Sequence, residues 1–74
     1  MNATAQAIID RLPAKPILEP TDIAAAFGMP DAARVIADIR RGRIIAVTVG
    51  RKFYVSRAEA ARYVASTAYT ADEA

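Results

Sequence analysis

The sequence predicts a small α+β domain, mostly helical, in which helices precede and follow a two-stranded antiparallel hairpin. Apolar residues recur at helical spacing in several runs that proline and glycine separate. Two β-branched runs flank a Gly-Arg-Lys turn at residues 50–52, which is typical of a hairpin. The 74 residues suffice for one domain only, and 54% of them are hydrophobic, which is enough for a core. We therefore expect residues 1–74 to form a single domain.

Residues 2–12 predict a first helix. Apolar residues recur there at intervals of three and four, as one face of a helix requires: Ala5, Ile8, Ile9 and Leu12. Asn2 is a typical N-cap residue, and Pro13 and Pro16 cannot continue a helix. Residues 17–18 are expected to be extended, because the short chain between Pro16 and Pro20 cannot easily be helical.

Two further helices are predicted, with a turn at Gly28 between them. The second helix begins at Pro20, because the fixed φ of proline suits the first helical position, and Gly28 closes it. The third begins at Pro30 and ends at Gly42, with an inward apolar stripe that consists of Ala32, Val35, Ile36 and Ile39. Two short helices joined by a Gly-containing turn form a helix-turn-helix unit.

The second half of the chain predicts a hairpin and a last helix. Residues 44–49 and 53–55 are rich in β-branched and aromatic side chains, and Gly50 supplies the positive φ of a tight turn. Ser56 and Glu59 have the spacing of a capping box, which marks the start of the last helix. A helix-turn-helix followed by such a hairpin is a winged helix-turn-helix.

Positive charge is concentrated in the middle of the chain. Residues 34–57 contain seven cationic side chains and one acid, a formal charge of +6, whereas the other 50 residues have a formal charge of −4. Clustered positive charge attracts polyanions more strongly than the same charge spread evenly. The asymmetry therefore favours DNA as the partner.

Three motifs follow one another along the chain. A proline-led helix start at 20–24 continues to Phe-Gly-Met at 27–29, then come Ile-Arg-Arg-Gly at 39–42 and Val-Thr-Val-Gly-Arg-Lys-Phe at 47–53. In this order they resemble the excisionase and MerR-like family of winged helix-turn-helix DNA-binding domains, over about residues 17–66. The size resembles that of a phage excisionase, also called a recombination directionality factor. The abundant alanine and arginine are similar to those of actinobacterial phages, mycobacteriophages among them.

The resemblance implies a sequence-selective architectural protein that bends DNA and directs integrase-mediated excision. Its implied partners are double-stranded DNA, other copies of itself on the DNA and a phage integrase, in the cytoplasm of the host bacterial cell. Two alternatives stay open. One is a small phage transcriptional repressor or activator with the same DNA-binding fold. The other is a protein-interaction adaptor on a winged-helix scaffold.

Eight residues are the candidate DNA contacts: Arg34, Asp38, Arg40, Arg41, Arg43, Arg51, Lys52 and Arg57. The pair at residues 51–52 is the strongest candidate, because a wing places cations beside the minor groove, where phosphates converge. The alternative is a charged turn that serves only solubility. Arg57 lies at a helix start, where the dipole opposes a cation, so it needs another partner, of which phosphate is one.

The outward face of the third helix has two interpretations. Arg34, Asp38 and Arg41 follow one another at spacings of four and three, which places them on one side of a helix. They either read bases in the major groove or form an ion-pair ladder on a solvated surface. Tyr63 and Tyr69 in the last helix likewise either cover part of the core or contact a partner.

Several classes of function are disfavoured by the composition. The chain has no cysteine and no histidine, which removes disulfides, ordinary zinc sites, thiol nucleophiles and imidazole bases. Carboxylates are scattered, hydroxyls have no base beside them, and no Gly-rich phosphate loop occurs. We therefore predict a protein that is not an enzyme, with no cofactor, no metal and no small-molecule substrate. No apolar run approaches the roughly 18 residues of a membrane span, so a cytoplasmic protein is predicted.

Overall fold

The computed structural model describes residues 3–73 of the chain, with side chains for residues 3–67. This part of the chain forms four helices and a three-stranded antiparallel sheet, so the predicted class, a mostly helical α+β domain, is confirmed. The elements in chain order are α1 (Ala3–Arg11), β1 (Ile17–Leu18), α2 (Pro20–Phe27), α3 (Ala33–Arg40), β2 (Val47–Val49), β3 (Lys52–Ser56) and α4 (Arg57–Glu73).

The first helix forms where the apolar spacing predicted it. Ala5 and Ile9 are buried on one side of α1, and Leu12 is buried just beyond its end. This side packs mainly against α4, so the first and last helices of the chain lie together. The predicted N-cap, Asn2, lies outside the described residues.

The sheet has β3 at its centre, with β1 and β2 on either side. Leu18 pairs with Val55, and both are 0% exposed, so this face of the sheet closes the core. Ile17 and Val47 lie on the outer face and are 51% and 64% exposed. The predicted hairpin is present as β2 and β3. Residues 17–18 are extended, as predicted, but their pairing with β3 as a third strand was not predicted. That pairing joins residues far apart in the sequence, which local patterns do not reveal.

The second helix has its predicted bounds, but the third begins later. The Asp22 side chain accepts the Glu19 N–H at 2.9 Å at the start of α2, and Gly28 closes the helix with φ 79°. The prediction that α3 starts at Pro30 is wrong, because the helix begins at Ala33. Asp31 Oδ1 accepts the Ala33 N–H at 2.9 Å, and this local bond competes with a helical turn at residues 30–32.

Beyond α3 the chain turns into the core before the hairpin begins. Gly42 has φ 79° and ends α3, as predicted. The prediction of a strand from residue 44 is wrong, because only Val47–Val49 pair with β3. Ile44 is 2% exposed in the core, and the Ile45 N–H donates to Glu59 Oε2 at 2.9 Å. The segment before β2 is therefore held by α4.

The start of α4 holds this segment through a network centred on Glu59. Ser56 Oγ accepts the Glu59 N–H at 3.1 Å, which is the predicted capping bond. The Glu59 carboxylate accepts from Arg62 at 2.6 and 2.9 Å, and Arg62 Nη2 also donates to the Arg43 carbonyl oxygen at 2.7 Å. The Arg62 guanidinium holds the pKa of Glu59 below its usual range. These bonds fix the chain that leaves α3.

The core lies between the helices and the inner face of the sheet. Its largest fully buried apolar side chains come from most of the elements and from the segment before β2: Leu18, Ile23, Val35, Ile44, Val55 and Val64. None of the helices in the described part of the chain combines the length and apolar character that crossing a membrane requires.

Candidate nucleic-acid interface

An open groove of about 220 Å³ between α2, α3 and the hairpin collects three of the predicted cations. Arg40 at the end of α3, Arg51 in the turn and Lys52 at the start of β3 all line it, and all three are exposed. Glu19 and Thr21 from the start of α2 complete its polar lining. Three cations around one groove attract an anion more strongly than the single acid opposes it.

The hairpin turn explains how two of these cations reach the groove. Val49 pairs with Lys52, so the turn consists of two residues, Gly50 and Arg51. Gly50 has φ 63° and Arg51 does not have a positive φ, which matches a type II′ turn with glycine at its first central position. The predicted role of Gly50 is confirmed. The turn therefore presents Arg51 at the tip of the hairpin.

A second group of charges lies at the C-terminal end of α3. Arg41 Nη1 and Arg43 Nη1 lie 3.8 and 3.9 Å from Asp38 Oδ1, and both arginine side chains are 64% exposed. Asp38 itself is 2% exposed, and its Oδ2 accepts a 2.5 Å hydrogen bond from the Tyr63 hydroxyl. Within the described part of the chain, Asp38 Oδ1 accepts no hydrogen bond.

Tyr63 belongs to the core and holds the buried carboxylate. It is 3% exposed, and its ring packs edge-on against Phe27 with the centroids 5.8 Å apart. Burial, together with the hydrogen bond to Asp38, raises the pKa of Tyr63 to about 12. The hydroxyl therefore stays protonated at neutral pH and remains a donor. Of the two interpretations of Tyr63, the structure supports core packing; the side chain of Tyr69 lies outside the described residues.

The prediction that Asp38 lies on the outward face of α3 is wrong. Asp38 comes three residues after Val35, which is 0% exposed, so the turn of the helix carries it toward the core. A carboxylate that is 2% exposed cannot reach a base in a DNA groove. Asp38 is thus removed from the direct contacts, and the predicted ladder is reduced to its ion pair with Arg41.

Arg34 lies apart from the hairpin cations. It lines a second groove of about 250 Å³, together with residues of α1, α4 and the end of α2, among them Ile8, Phe27 and Tyr63. At about 100° per residue, Arg34 and Arg40 are about 120° apart around α3. The structure therefore brings Arg40 together with Arg51 and Lys52, but places Arg34 toward another side of the helix.

The Arg57 side chain bonds to backbone carbonyl oxygens of the protein itself. DNA phosphate was one of the partners that the sequence predicted for it. Its Nε donates to the Pro13 carbonyl oxygen at 3.1 Å, and its Nη2 donates to the Ile9 carbonyl oxygen at 3.4 Å. The Ile9 oxygen lies in the last turn of α1 and also accepts the Leu12 N–H at 3.0 Å, and the Pro13 oxygen lies just beyond the helix. The carbonyl end of a helix favours a cation. Since Arg57 is half-buried and occupied in this way, we withdraw it from the candidate contacts.

Replacing Arg57 with alanine is expected to lower stability without changing DNA binding. The change removes the Arg57 donor from the Pro13 carbonyl oxygen, whereas the Ile9 oxygen keeps the Leu12 N–H at 3.0 Å. The expected cost is about 1 to 3 kcal/mol in the free energy of unfolding. Urea denaturation measures this loss, and Arg11→Ala, which removes an exposed arginine, is the control. A weaker salt dependence of duplex binding in Arg57→Ala would restore Arg57 to the contact surface.

Comparison with known proteins finds no relative of this chain: no family model, no curated protein and no solved structure matches it. The functional assignment therefore depends on the charges and contacts of the described residues. Six predicted cations are exposed in that part of the chain: Arg34, Arg40, Arg41, Arg43, Arg51 and Lys52.

Proposed function

We propose that this protein is a winged helix-turn-helix DNA-binding protein. In this proposal α2 and α3 form the helix-turn-helix, and β2 and β3 form the wing. The observation that carries it is the groove shared by Arg40, Arg51 and Lys52, since it unites the end of α3 with the hairpin tip. A phosphate of the DNA backbone is the ligand whose charge and abundance best fit such a groove.

The exposed side chains favour recognition of phosphate and DNA shape over direct reading of bases. Ala33 is exposed and Ala37 is partly exposed on α3, and neither carries a hydrogen-bonding side-chain group, while Arg40 and Arg41 lie at the end of the helix. Contacts to phosphates fix the position of a protein on DNA, and sequence preference then comes largely from the deformability of the duplex. This style of recognition suits an architectural protein.

The proposed role is that of an excisionase-like protein in the cytoplasm of a bacterial host cell. Copies bind adjacent sites, bend the duplex and direct an integrase toward excision, without catalysing a reaction themselves. Bending a DNA site of about 20 to 30 base pairs costs about 1 to 6 kcal/mol, so several copies or strong phosphate contacts are required. The exposed cations around α3 and the hairpin supply such contacts.

A second candidate is a protein-interaction adaptor, which the outer face of the sheet favours. Four large apolar side chains there and beside it are more than half exposed: Ile17, Ile45, Val47 and Val49. Val47 and Val49 lie on the same face of β2, and neighbouring exposed apolar side chains often mark a contact with another protein. An adaptor of this kind would bind an acidic partner through the basic surface together with this apolar face, and would show no affinity for duplex DNA.

Two measurements on the wild-type protein separate these functions. Fluorescence anisotropy with a labelled duplex at low salt should show binding, and its absence would eliminate both DNA-binding functions in favour of the adaptor. A gel-shift assay with circularly permuted fragments should then show position-dependent mobility, because an architectural protein bends its site. An unbent complex would favour the small transcriptional repressor or activator over the excisionase.

A further inference from the structure

One buried carboxylate at the end of α3 lies between two exposed guanidinium groups. Asp38 Oδ1 is 3.8 Å from Arg41 Nη1 and 3.9 Å from Arg43 Nη1. Both distances fall within ion-pair range but exceed that of a hydrogen bond. The carboxylate therefore attracts both arginines electrostatically, and neither guanidinium uses an N–H donor on it.

The backbone fixes the two arginines beside each other. The Arg41 N–H donates to the Ala37 carbonyl oxygen at 3.0 Å, and the Arg43 N–H donates to the Asp38 carbonyl oxygen at 2.9 Å. Gly42 between them has φ 79°, which completes the helix end. The attachment points of both side chains are thereby set by α3.

The carboxylate is itself held in place from the other side. Tyr63 donates its hydroxyl to Asp38 Oδ2, while Oδ1, with no hydrogen bond in the described part of the chain, is the oxygen nearest the arginines. Buried polar oxygens usually accept a hydrogen bond, so an orphaned carboxylate oxygen calls for an explanation. Its position between two guanidinium groups supplies one.

We propose that Asp38 is a positioning residue that holds Arg41 and Arg43 together as a clamp for one DNA backbone phosphate. Two adjacent arginines repel each other, and a shared carboxylate offsets that repulsion before the phosphate arrives. Within the described part of the chain neither guanidinium donates a hydrogen bond to Asp38, so their N–H donors are available for the phosphate oxygens, and one net positive charge remains. This inference rests on the proposed DNA-binding function.

The test is the duplex affinity of Asp38→Asn, because two physical effects predict opposite results. The variant is one charge more positive, so attraction by net charge alone predicts tighter binding. Loss of the positioning charge predicts weaker binding, by about tenfold, since the arginines must then be ordered when the phosphate binds. Asparagine keeps an acceptor for the Tyr63 hydroxyl. Unchanged or tighter binding would overturn the inference.

A double-mutant cycle distinguishes positioning from a general structural role. In a background with Arg41→Ala and Arg43→Ala, Asp38→Asn should no longer weaken binding, because no arginine remains to be held and only the more positive net charge acts. An equal loss of affinity in both backgrounds would show that Asp38 only maintains the fold, and would overturn the inference.

A second variant tests the same chain of contacts with all charges retained. Tyr63→Phe removes the hydroxyl that holds Asp38, so duplex affinity should fall several-fold in the wild-type background and stay unchanged without the two arginines. This variant keeps the inference testable if Asp38→Asn does not fold. Absence of duplex binding by the wild type would refute the proposed function, and the inference with it. Failure of the proposed function is thus seen with the wild-type protein alone, whereas failure of the inference alone is seen only with the variants.

Discussion

Replacing Arg51 and Lys52 together with alanine is expected to weaken DNA binding strongly and to reduce its salt dependence. These two cations lie at the hairpin tip, and both line the groove with Arg40. Each phosphate that a cation neutralises adds about −0.9 to the slope of log affinity against log salt. The double variant should therefore flatten that slope by about 1 to 2 units, as measured by anisotropy over a salt series.

The matched control is Arg11→Ala combined with Lys15→Ala. It removes the same two charges from exposed positions outside residues 34–57, and costs only a surface ion pair, between Lys15 and Asp22 at 3.3 Å. Its slope should equal that of the wild type. If both double variants flatten the slope equally, the protein attracts DNA through its net charge and has no contact surface at the hairpin.

Leu18→Ala is expected to produce the largest loss of stability among single substitutions in the sheet. Leu18 is 0% exposed and pairs with the equally buried Val55, so its removal leaves a cavity where β1 closes the core. A buried leucine cut to alanine costs about 2 to 5 kcal/mol in the free energy of unfolding. In a domain of 74 residues this is a large part of the total, and urea denaturation measures it.

The neighbouring Ile17 supplies the control, because it is in the same strand and 51% exposed on the opposite face. Ile17→Ala should cost about 0.5 kcal/mol or less, as exposed substitutions usually do. Comparable losses for the two variants would contradict the position of β1 against the core.

The elements that a single residue determines locally were predictable from the sequence. Proline at residue 20 and glycine at residues 28, 42 and 50 restrict or permit particular φ values, and each marks a boundary or a turn in the structure. The start of α3 was missed because Asp31 forms a local bond to Ala33 instead of beginning the helix. Two local preferences compete at this point, and the sequence pattern does not rank them.

The contacts that depend on tertiary structure were not predictable in the same way. Arg57 bonds the carbonyl oxygens of Ile9 and Pro13, more than 40 residues earlier in the chain, and no local pattern specifies that pairing. The burial of Asp38, in contrast, has an indication in the sequence. It lies about 60° around α3 from Val35 of the predicted inward stripe, at the edge of that stripe, so its helical phase is compatible with burial.

The sequence predicted some of the residues that line the candidate site, but not the tertiary contacts around them. The cations at residues 40, 51 and 52 meet in one groove because the hairpin returns beside the end of α3, and the ordered motifs anticipated that neighbourhood. Tyr63 was missed as the partner of Asp38, since a tyrosine in an apolar stripe gives no indication of which carboxylate its hydroxyl will meet.

The central claim is that the exposed cations around α3 and the hairpin meet the phosphates of a DNA duplex. The affinity of the wild-type protein for a duplex, measured over a range of salt concentrations, tests it most directly. If the five cations other than Arg34 contact phosphates, log affinity should fall with log salt at a slope of about −4 to −5. A slope near zero, or no binding at low salt, would contradict the claim.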